Sequence, residues 1–267
     1  MPAVELTKLR QQIDRLVELF DQPDEFQRAV RQLYEHYTDL AYHPGQTVTR
    51  RSPIPSYRPP ALLTRRLELD LTAACLARSE QALAIVDRLW AETYLEPRLL
   101  AATLLGQIPL SQGEGIMERL RAWAQPREDR SVLEALLERG AARLRTEGPD
   151  ALLELYDSWL SAPDAERRLI GLKGLLPLIN DPAFENLPPI FSMLNPIVRT
   201  VDAAAFNELA VVLGALAART PIETAYFLRQ AISAPHQANT PRLVRKILPL
   251  LSESAQESLR AALKARS

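Results

Sequence analysis

Apolar residues recur at three- and four-residue steps along most of this chain. Leu9, Ile13, Leu16 and Phe20 form one such series near the start, and residues 206–216 contain another. This spacing puts the apolar side chains on one face of an α-helix. No stretch alternates apolar and polar positions with β-branched residues, so the pattern predicts an all-α fold with essentially no sheet.

The periodicity predicts a series of helices joined by short turns. Several of them begin with a proline, such as Pro23 and Pro221, because a missing N–H costs nothing in the first helical turn. Thr220 and Glu223, on either side of Pro221 and Ile222, predict a capping box. We predict about seven antiparallel helix pairs. The predicted helices are residues 3–21, 24–40, 61–77, 80–92, 95–106, 114–124, 129–145, 149–161, 164–178, 183–194, 202–219, 221–233, 240–250 and 253–265.

The three tryptophans of the chain each open a similar phrase. Trp90, Trp123 and Trp159 are spaced by 33 and 36 residues, and each is followed by a Glu-x-Arg motif and an apolar helical run. A period in this range is typical of stacked helical pairs, because one pair cannot bury its apolar face alone. The repeat predicts a HEAT-like superhelix, or α-solenoid, with each Trp near the end of a first helix.

The Glu-x-Arg motifs allow two interpretations. Glu96 with Arg98, and Glu128 with Arg130, can form a ladder of ion pairs from one repeat to the next, or they can bind a ligand. Residues 41–60 interrupt the helical pattern, since five prolines and one glycine exclude a regular helix there. The predicted organisation is an N-terminal helical pair at 1–45, a Pro/Arg-rich loop at 46–60, and one continuous repeat body at 61–267.

Composition narrows the possible functions. The net charge of −1 gives no overall attraction to nucleic acid or to an acidic membrane. The longest nearly unbroken apolar stretch, residues 209–218, is shorter than the roughly 20 residues that span a bilayer. The N-terminus has no apolar signal region, so we expect a cytoplasmic protein. One cysteine, Cys75, excludes an internal disulfide, and three scattered histidines predict no metal site; no cofactor is expected.

No standard catalytic motif is present, but arginines cluster around one aromatic residue near the loop. Arginine forks suit phosphate, and an aromatic ring suits stacking on a base or sugar. The cluster therefore predicts a nucleic-acid contact, although arginines that pair with local acids would give the same pattern. Its members are Arg50, Arg51, Tyr57, Arg58, Arg65 and Arg66.

Three phrases carry a family resemblance. IVDRLWAETYLEPRLLAATLL, LLELYDSWLSAPDAERRLIGLKGLLPLI and VDAAAFNELAVVLGALAARTPIETAYFLRQ occur in this order. Between about Ser52 and Leu250 the chain resembles the AlkD-type DNA alkylation repair glycosylases, which are bacterial proteins built of HEAT-like repeats. The phrase IPSYRPPALLTRRL resembles the segment that precedes their first repeats. The resemblance implies a concave face that holds duplex DNA and an activity that excises N-alkylated purines.

The resemblance also implies an active site. Members of the family combine a catalytic Asp, nearby tryptophans and an Arg that holds phosphate; the indoles attract the cationic lesion, and the carboxylate stabilises the positive sugar. The Asp position falls on Glu134, its preceding Trp near Arg130, the Arg on Arg168, and the second Trp near Val211. Since both aromatic residues are replaced, we expect a non-catalytic or vestigial member that binds duplex DNA on its concave face, with Arg130 and Arg168 among the nucleic-acid contacts. The alternatives are an active alkylpurine DNA glycosylase that uses Glu134, and a protein-binding helical scaffold.

Overall fold

The protein is all-α, as its periodicity predicts. The computed structural model describes residues 5–38, 54–235 and 237–265, and every regular element in these ranges is helical. Neighbouring helices pack in succession, for example α4 (Ser79–Trp90) on α5 (Leu95–Leu105), and α9 (Pro149–Leu160) on α10 (Ala165–Asn180). The predicted class, an all-α fold of repeated helices, is confirmed.

The chain divides into two compact units, Met1–Gly148 and Pro149–Ser267. This boundary falls inside the region predicted as one continuous body. The core of the first unit is built mainly of aliphatic and aromatic side chains, among them Leu67, Ile85 and Leu104, which are fully buried. Besides α4 and α5, the helices of the first unit are α1 (Leu6–Glu18), α2 (Pro23–His36), α3 (Ala61–Ala77), α6 (Gly113–Trp123), α7 (Arg130–Ala135) and α8 (Ala142–Glu147).

The second unit continues the same pattern of packed helices. Its core includes Leu172, Leu213 and Leu228, which are fully buried. After α9 and α10, the helices are α11 (Pro188–Arg199), α12 (Phe206–Arg219), α13 (Pro221–Ser233), α14 (Asn239–Ile247) and α15 (Glu253–Lys264). Pro149 and Pro221 begin α9 and α13, as their sequence position predicts.

The three tryptophans lie where the repeated phrase predicts. Trp90 is the last residue of α4, Trp123 is the last residue of α6, and Trp159 is the penultimate residue of α9. The apolar run after each of them forms the next helix, α5, α7 or α10. The repeat in the sequence is therefore also a repeat in the local structure.

Three details of the predicted helices are wrong. The helix predicted at 183–194 begins at Pro188 instead, because two consecutive prolines without N–H groups are accommodated in a first turn and not in a helix interior. The helix predicted at 129–145 contains a π-helical turn, Leu136–Gly140. Thr220 does not cap α13, since its hydroxyl donates to the Leu216 carbonyl at 3.3 Å.

Candidate nucleic-acid interface

A buried carboxylate organises the segment that leads into α3. Glu96, in the first turn of α5, is 9% exposed. Its oxygens accept hydrogen bonds from the Tyr57 amide at 2.9 Å, the Arg58 amide at 3.0 Å and the Ser56 hydroxyl. The Leu95 amide donates to the Pro55 carbonyl at 2.9 Å. These bonds fix residues 56–58, called the arginine turn below, against the start of α5.

The arginine turn has an unusual backbone. Arg58 has φ of 50°, in the left-handed region that non-glycine residues rarely adopt. Such a conformation costs on the order of 1 kcal/mol or more and persists only where surrounding contacts hold it. Here the Glu96 carboxylate holds it, and the Arg58 residue is exposed. The sequence gives no local sign of this, because the donors and the acceptor are 38–40 residues apart.

Tyr57, predicted as a stacking residue for nucleic acid, is buried in a stack of tyrosines. Its ring lies 4.0 Å from the ring of Tyr94 and 5.6 Å from that of Tyr34, nearly parallel to both. Burial raises the pKa of Tyr57 to about 12 and also raises the pKa of Tyr34. Since Tyr57 is only 5% exposed, its ring packs within the protein and anchors the arginine turn.

The predicted arginines have different surroundings. Arg65 is exposed on α3, whereas Arg66 is half-buried and pairs through Nε with the Asp70 carboxylate one helical turn away, at 2.7 Å. Arg50 and Arg51 lie outside the described residues. The structure thus brings Arg58 and Arg65 to the surface around the start of α3 and gives Arg66 an acidic partner.

Glu134, predicted as the catalytic carboxylate, lies on the surface of α7. Its side chain is 49% exposed and accepts a hydrogen bond from Arg130 Nε at 2.7 Å. Arg130, which occupies the position of one family tryptophan, is itself 78% exposed. Val211, at the position of the second, is 53% exposed on α12 of the other unit. The buried acid nearest in sequence is Asp129, which caps α7 by accepting from the Ser131 and Val132 amides.

Arg168 lies in the second unit and caps a turn. Its Nη1 donates to the Ala162 and Pro163 carbonyls at 2.9 and 2.8 Å, and its Nη2 lies 4.0 Å from the Asp202 carboxylate. The side chain borders an open cavity of about 880 Å³ between α9, α11 and the residues that follow α11. The Nη1 group of Arg168 is thus engaged by two carbonyls of its own unit.

The Glu-x-Arg motifs form one rung of the predicted ladder. Arg98 pairs with Glu128, 30 residues later, and both side chains are largely buried. The Arg98 guanidinium also lies 4.7 Å from the centre of the Trp90 ring, which stacks on Trp123 at 4.3 Å. The intramolecular interpretation is confirmed for this pair. Arg130 instead pairs with Glu134 within its own helix.

Two kinds of feature are not found among the described residues. Within residues 5–38, 54–235 and 237–265, no three His, Cys, Asp or Glu side chains are grouped so that they could hold a metal ion. In the same ranges no helix combines the length and the apolar character needed to cross a bilayer. His43 and His236 lie outside these ranges.

The fold and the arginine turn define an all-α protein of packed helical repeats with exposed arginines in its first unit. A family model described as DNA alkylation repair enzyme matches residues 64–246, which is more than half of the 267 residues. The chain belongs to this family. No curated protein and no solved structure matches it.

Proposed function

We propose that this chain binds duplex DNA through exposed arginines of its first unit and does not release alkylated bases. The arginine turn is the observation that carries the proposal. A buried carboxylate with three hydrogen bonds holds a non-glycine residue at φ 50°, and that residue is an exposed arginine. Strained backbone of this kind is concentrated at binding sites, where it orients a side chain before the ligand arrives.

The chemistry of the arginines suits a phosphate backbone. A guanidinium offers a planar fork of donors that matches phosphate oxygens. Arg58 and Arg65 supply two such forks near the start of α3, and Arg50 and Arg51 precede them in the sequence. The overall net charge of −1 means that attraction to DNA depends on this local group. A DNA ligand agrees with the cytoplasmic location expected from the sequence. The HEAT-like superhelix with a concave DNA-binding face remains a prediction.

Replacing Arg58 and Arg65 together by glutamine should weaken binding to any duplex by about tenfold or more at low salt. Each lost phosphate contact removes about 0.9 from the slope of log affinity against log salt concentration, so the slope should fall by nearly 2. Gel shift or fluorescence anisotropy with two unrelated duplexes measures both quantities. The loss should be equal for both duplexes, because phosphate contacts carry no sequence information.

The matched control is Arg229→Gln with Arg260→Gln, which removes the same charge from exposed positions on α13 and α15. If the two double variants lose affinity equally, the total positive charge of the protein explains the binding, and the arginine turn is not the DNA-binding site. If the wild type forms no complex with any duplex at low salt, the DNA proposal fails.

Glu134 has the surroundings of a surface helix residue. Stabilising a positively charged sugar requires a carboxylate that is fixed in a site shielded from water. Glu134 is instead half exposed and engaged by Arg130, whose positive charge would repel a cationic base. Neither Arg130 nor Val211 supplies an aromatic face, so each cation–π contact of roughly 0.5–2 kcal/mol is missing.

We therefore expect base release from methylated duplex DNA to stay at the spontaneous rate. The assay compares the wild type, the Glu134→Gln variant and a sample without protein, with an active alkylpurine glycosylase as the positive control. All three should release the same amount of base. Release by the wild type that disappears in Glu134→Gln would establish the alternative, an active glycosylase.

A protein-binding scaffold is the second candidate function. One observation favours it: α3 carries three exposed leucines, Leu62, Leu69 and Leu76. Exposed apolar residues that are grouped in this way mark contact surfaces.

A further inference from the structure

The exposed leucines of α3 form a straight row. Leu62, Leu69 and Leu76 are 46%, 62% and 48% exposed, and they are called the leucine row below. Residues seven apart lie almost on the same face, since a helix makes two turns in about 7.2 residues. The row spans about 21 Å along the helix at a rise of about 1.5 Å per residue. On its other side, α3 buries Leu63, Leu67, Leu71 and Cys75 in the core.

We infer that the leucine row is the contact between two copies of this chain, with their α3 helices antiparallel. The row is symmetric about Leu69, because equally spaced leucines precede and follow it with nearly equal exposure. A two-fold axis at Leu69 therefore sets Leu69 against Leu69 of the second copy, and Leu62 against the second copy's Leu76. Such a self-complementary patch is what a two-fold interface requires.

Charges beside the row fit the same arrangement. At about 100° per residue, Arg66, Asp70 and Ala73 lie on one flank of the leucine row, and Arg65 and Thr72 on the other. A two-fold axis brings like flanks together, so that Arg66 of one copy lies within about two residues, or about 3 Å along the axis, of the second copy's Asp70.

The existing ion pair leaves donors for this contact. Arg66 uses Nε to bind its own Asp70, and the guanidinium has further N–H groups for a second carboxylate. Ala73 is small and exposed, so it leaves room for the Arg66 side chain of the second copy. On the other flank Arg65 faces Thr72 of the second copy, an uncharged side chain. A second copy would thus cover the leucine row and bring its Asp70 within reach of Arg66.

Self-association does not rest on the proposed DNA binding. It shares Arg65 and Arg66 with the predicted nucleic-acid contacts, and for that reason the tests below contain no nucleic acid. Loss of DNA binding would leave the dimer proposal intact, and a monomeric protein would leave the DNA proposal intact.

The first test is molecular mass as a function of protein concentration, by sedimentation equilibrium. The mass of the wild type should rise from 29.9 kDa toward twice that value. Leu69→Glu should remain monomeric, because it sets two carboxylates against each other at the axis. The control Ile222→Glu adds the same charge at a position that is 79% exposed on α13, and it should associate like the wild type. A wild type that stays monomeric at every concentration overturns the proposal.

Charge exchange tests the edge of the contact. Arg66→Asp should shift association to at least tenfold higher concentration, since it sets carboxylates together on one flank. Combining it with Asp70→Arg exchanges the two charges within and between copies and should restore most of the association. If the double variant associates no better than Arg66→Asp alone, the proposed pairing of Arg66 with the second copy's Asp70 is wrong.

Cysteine cross-linking tests the antiparallel arrangement. The native Cys75 is buried, and burial raises the pKa of its thiol to about 12, so it does not compete under mild oxidation. Leu69→Cys should cross-link to itself, whereas Leu62→Cys should cross-link to Leu76→Cys only in a mixture of the two. Self-cross-linking of Leu62→Cys would indicate parallel helices and overturn this arrangement. Equal cross-linking by Ile222→Cys would show random collision and overturn the contact itself.

Discussion

Replacing Glu96 by alanine should lower the free energy of unfolding of the first unit by about 3 kcal/mol. The change removes the carboxylate that accepts from the Tyr57 and Arg58 amides and the Ser56 hydroxyl, and the Arg58 amide keeps only its 3.2 Å bond to the Ser56 hydroxyl oxygen. Hydrogen bonds to a charged group contribute about 1.5–3 kcal/mol each, and an unpaired buried donor costs about 1–3 kcal/mol. Chemical denaturation followed by circular dichroism measures the change. Glu96→Gln, which keeps one acceptor oxygen and nearly the same volume, should fall between alanine and the wild type.

The same substitution separates electrostatics from geometry in DNA binding. Removing a carboxylate makes the protein more positive, which by itself would raise its affinity for DNA. We expect the opposite, a loss of affinity comparable to that of Arg58→Gln, because the arginine turn loses its anchor. Glu118→Ala, at an exposed position of α6, removes the same charge and serves as the control for both measurements. Affinity that rises equally in both variants would contradict a role for the turn.

Gly106→Ala should destabilise the first unit by about 3 kcal/mol or more, which is at the upper end of the usual cost of overpacking. A Cβ atom at this position would overlap the Arg139 carbonyl oxygen and lie 2.9 Å from its carbon. Those atoms belong to the π-helical turn Leu136–Gly140, and backbone cannot rotate away as a side chain does. The midpoint of thermal unfolding should fall by roughly 6–12 °C, at about 2–4 °C per kcal/mol.

Gly214→Ala is the matched control, with an expected change of opposite sign. Gly214 lies inside α12, and its Cβ would meet only Leu250 Cδ1 at 3.5 Å, an ordinary contact. Alanine in a helix interior is favoured over glycine by about 0.5–1 kcal/mol. A Gly106→Ala variant that unfolds at the temperature of the wild type would mean that α5 and the π-helical turn do not approach each other this closely.

The ladder of Glu-x-Arg motifs illustrates what a repeat in the sequence can predict. Arg98 and Glu128 occupy corresponding positions in successive phrases, and stacking of those phrases brings them together. The partner of Arg130 could not be inferred in the same way. It pairs with Glu134 one helical turn away, a contact that depends only on local geometry and competes with any distant partner.

The candidate site was only partly predictable. Arginines near the start of α3 were identified from their composition alone, and the structure gives Arg58 and Arg65 exposed positions. Tyr57, chosen because an aromatic ring among arginines is typical of nucleic-acid binding, turned out to pack between Tyr34 and Tyr94. An aromatic residue has the same appearance in a sequence whether its faces are open or covered. The repeat pattern assigns Glu96 to a ladder of ion pairs, and only the structure shows that Glu96 holds the arginine turn.

The sequence by itself determined the helices, their order and the family, because these depend on short-range periodicity and on phrases that repeat. Proline and apolar spacing predict most helices within a few residues; α11 is an exception, because the predicted helix 183–194 has Pro188 and Pro189 in its interior, whereas they form the first turn of α11. The tertiary structure alone decided which polar groups meet across 30–40 residues, which aromatic faces are covered and which leucines of α3 stay exposed. Those outcomes depend on how complete helices pack, and a helical pattern records which residues share a face without recording what lies opposite it.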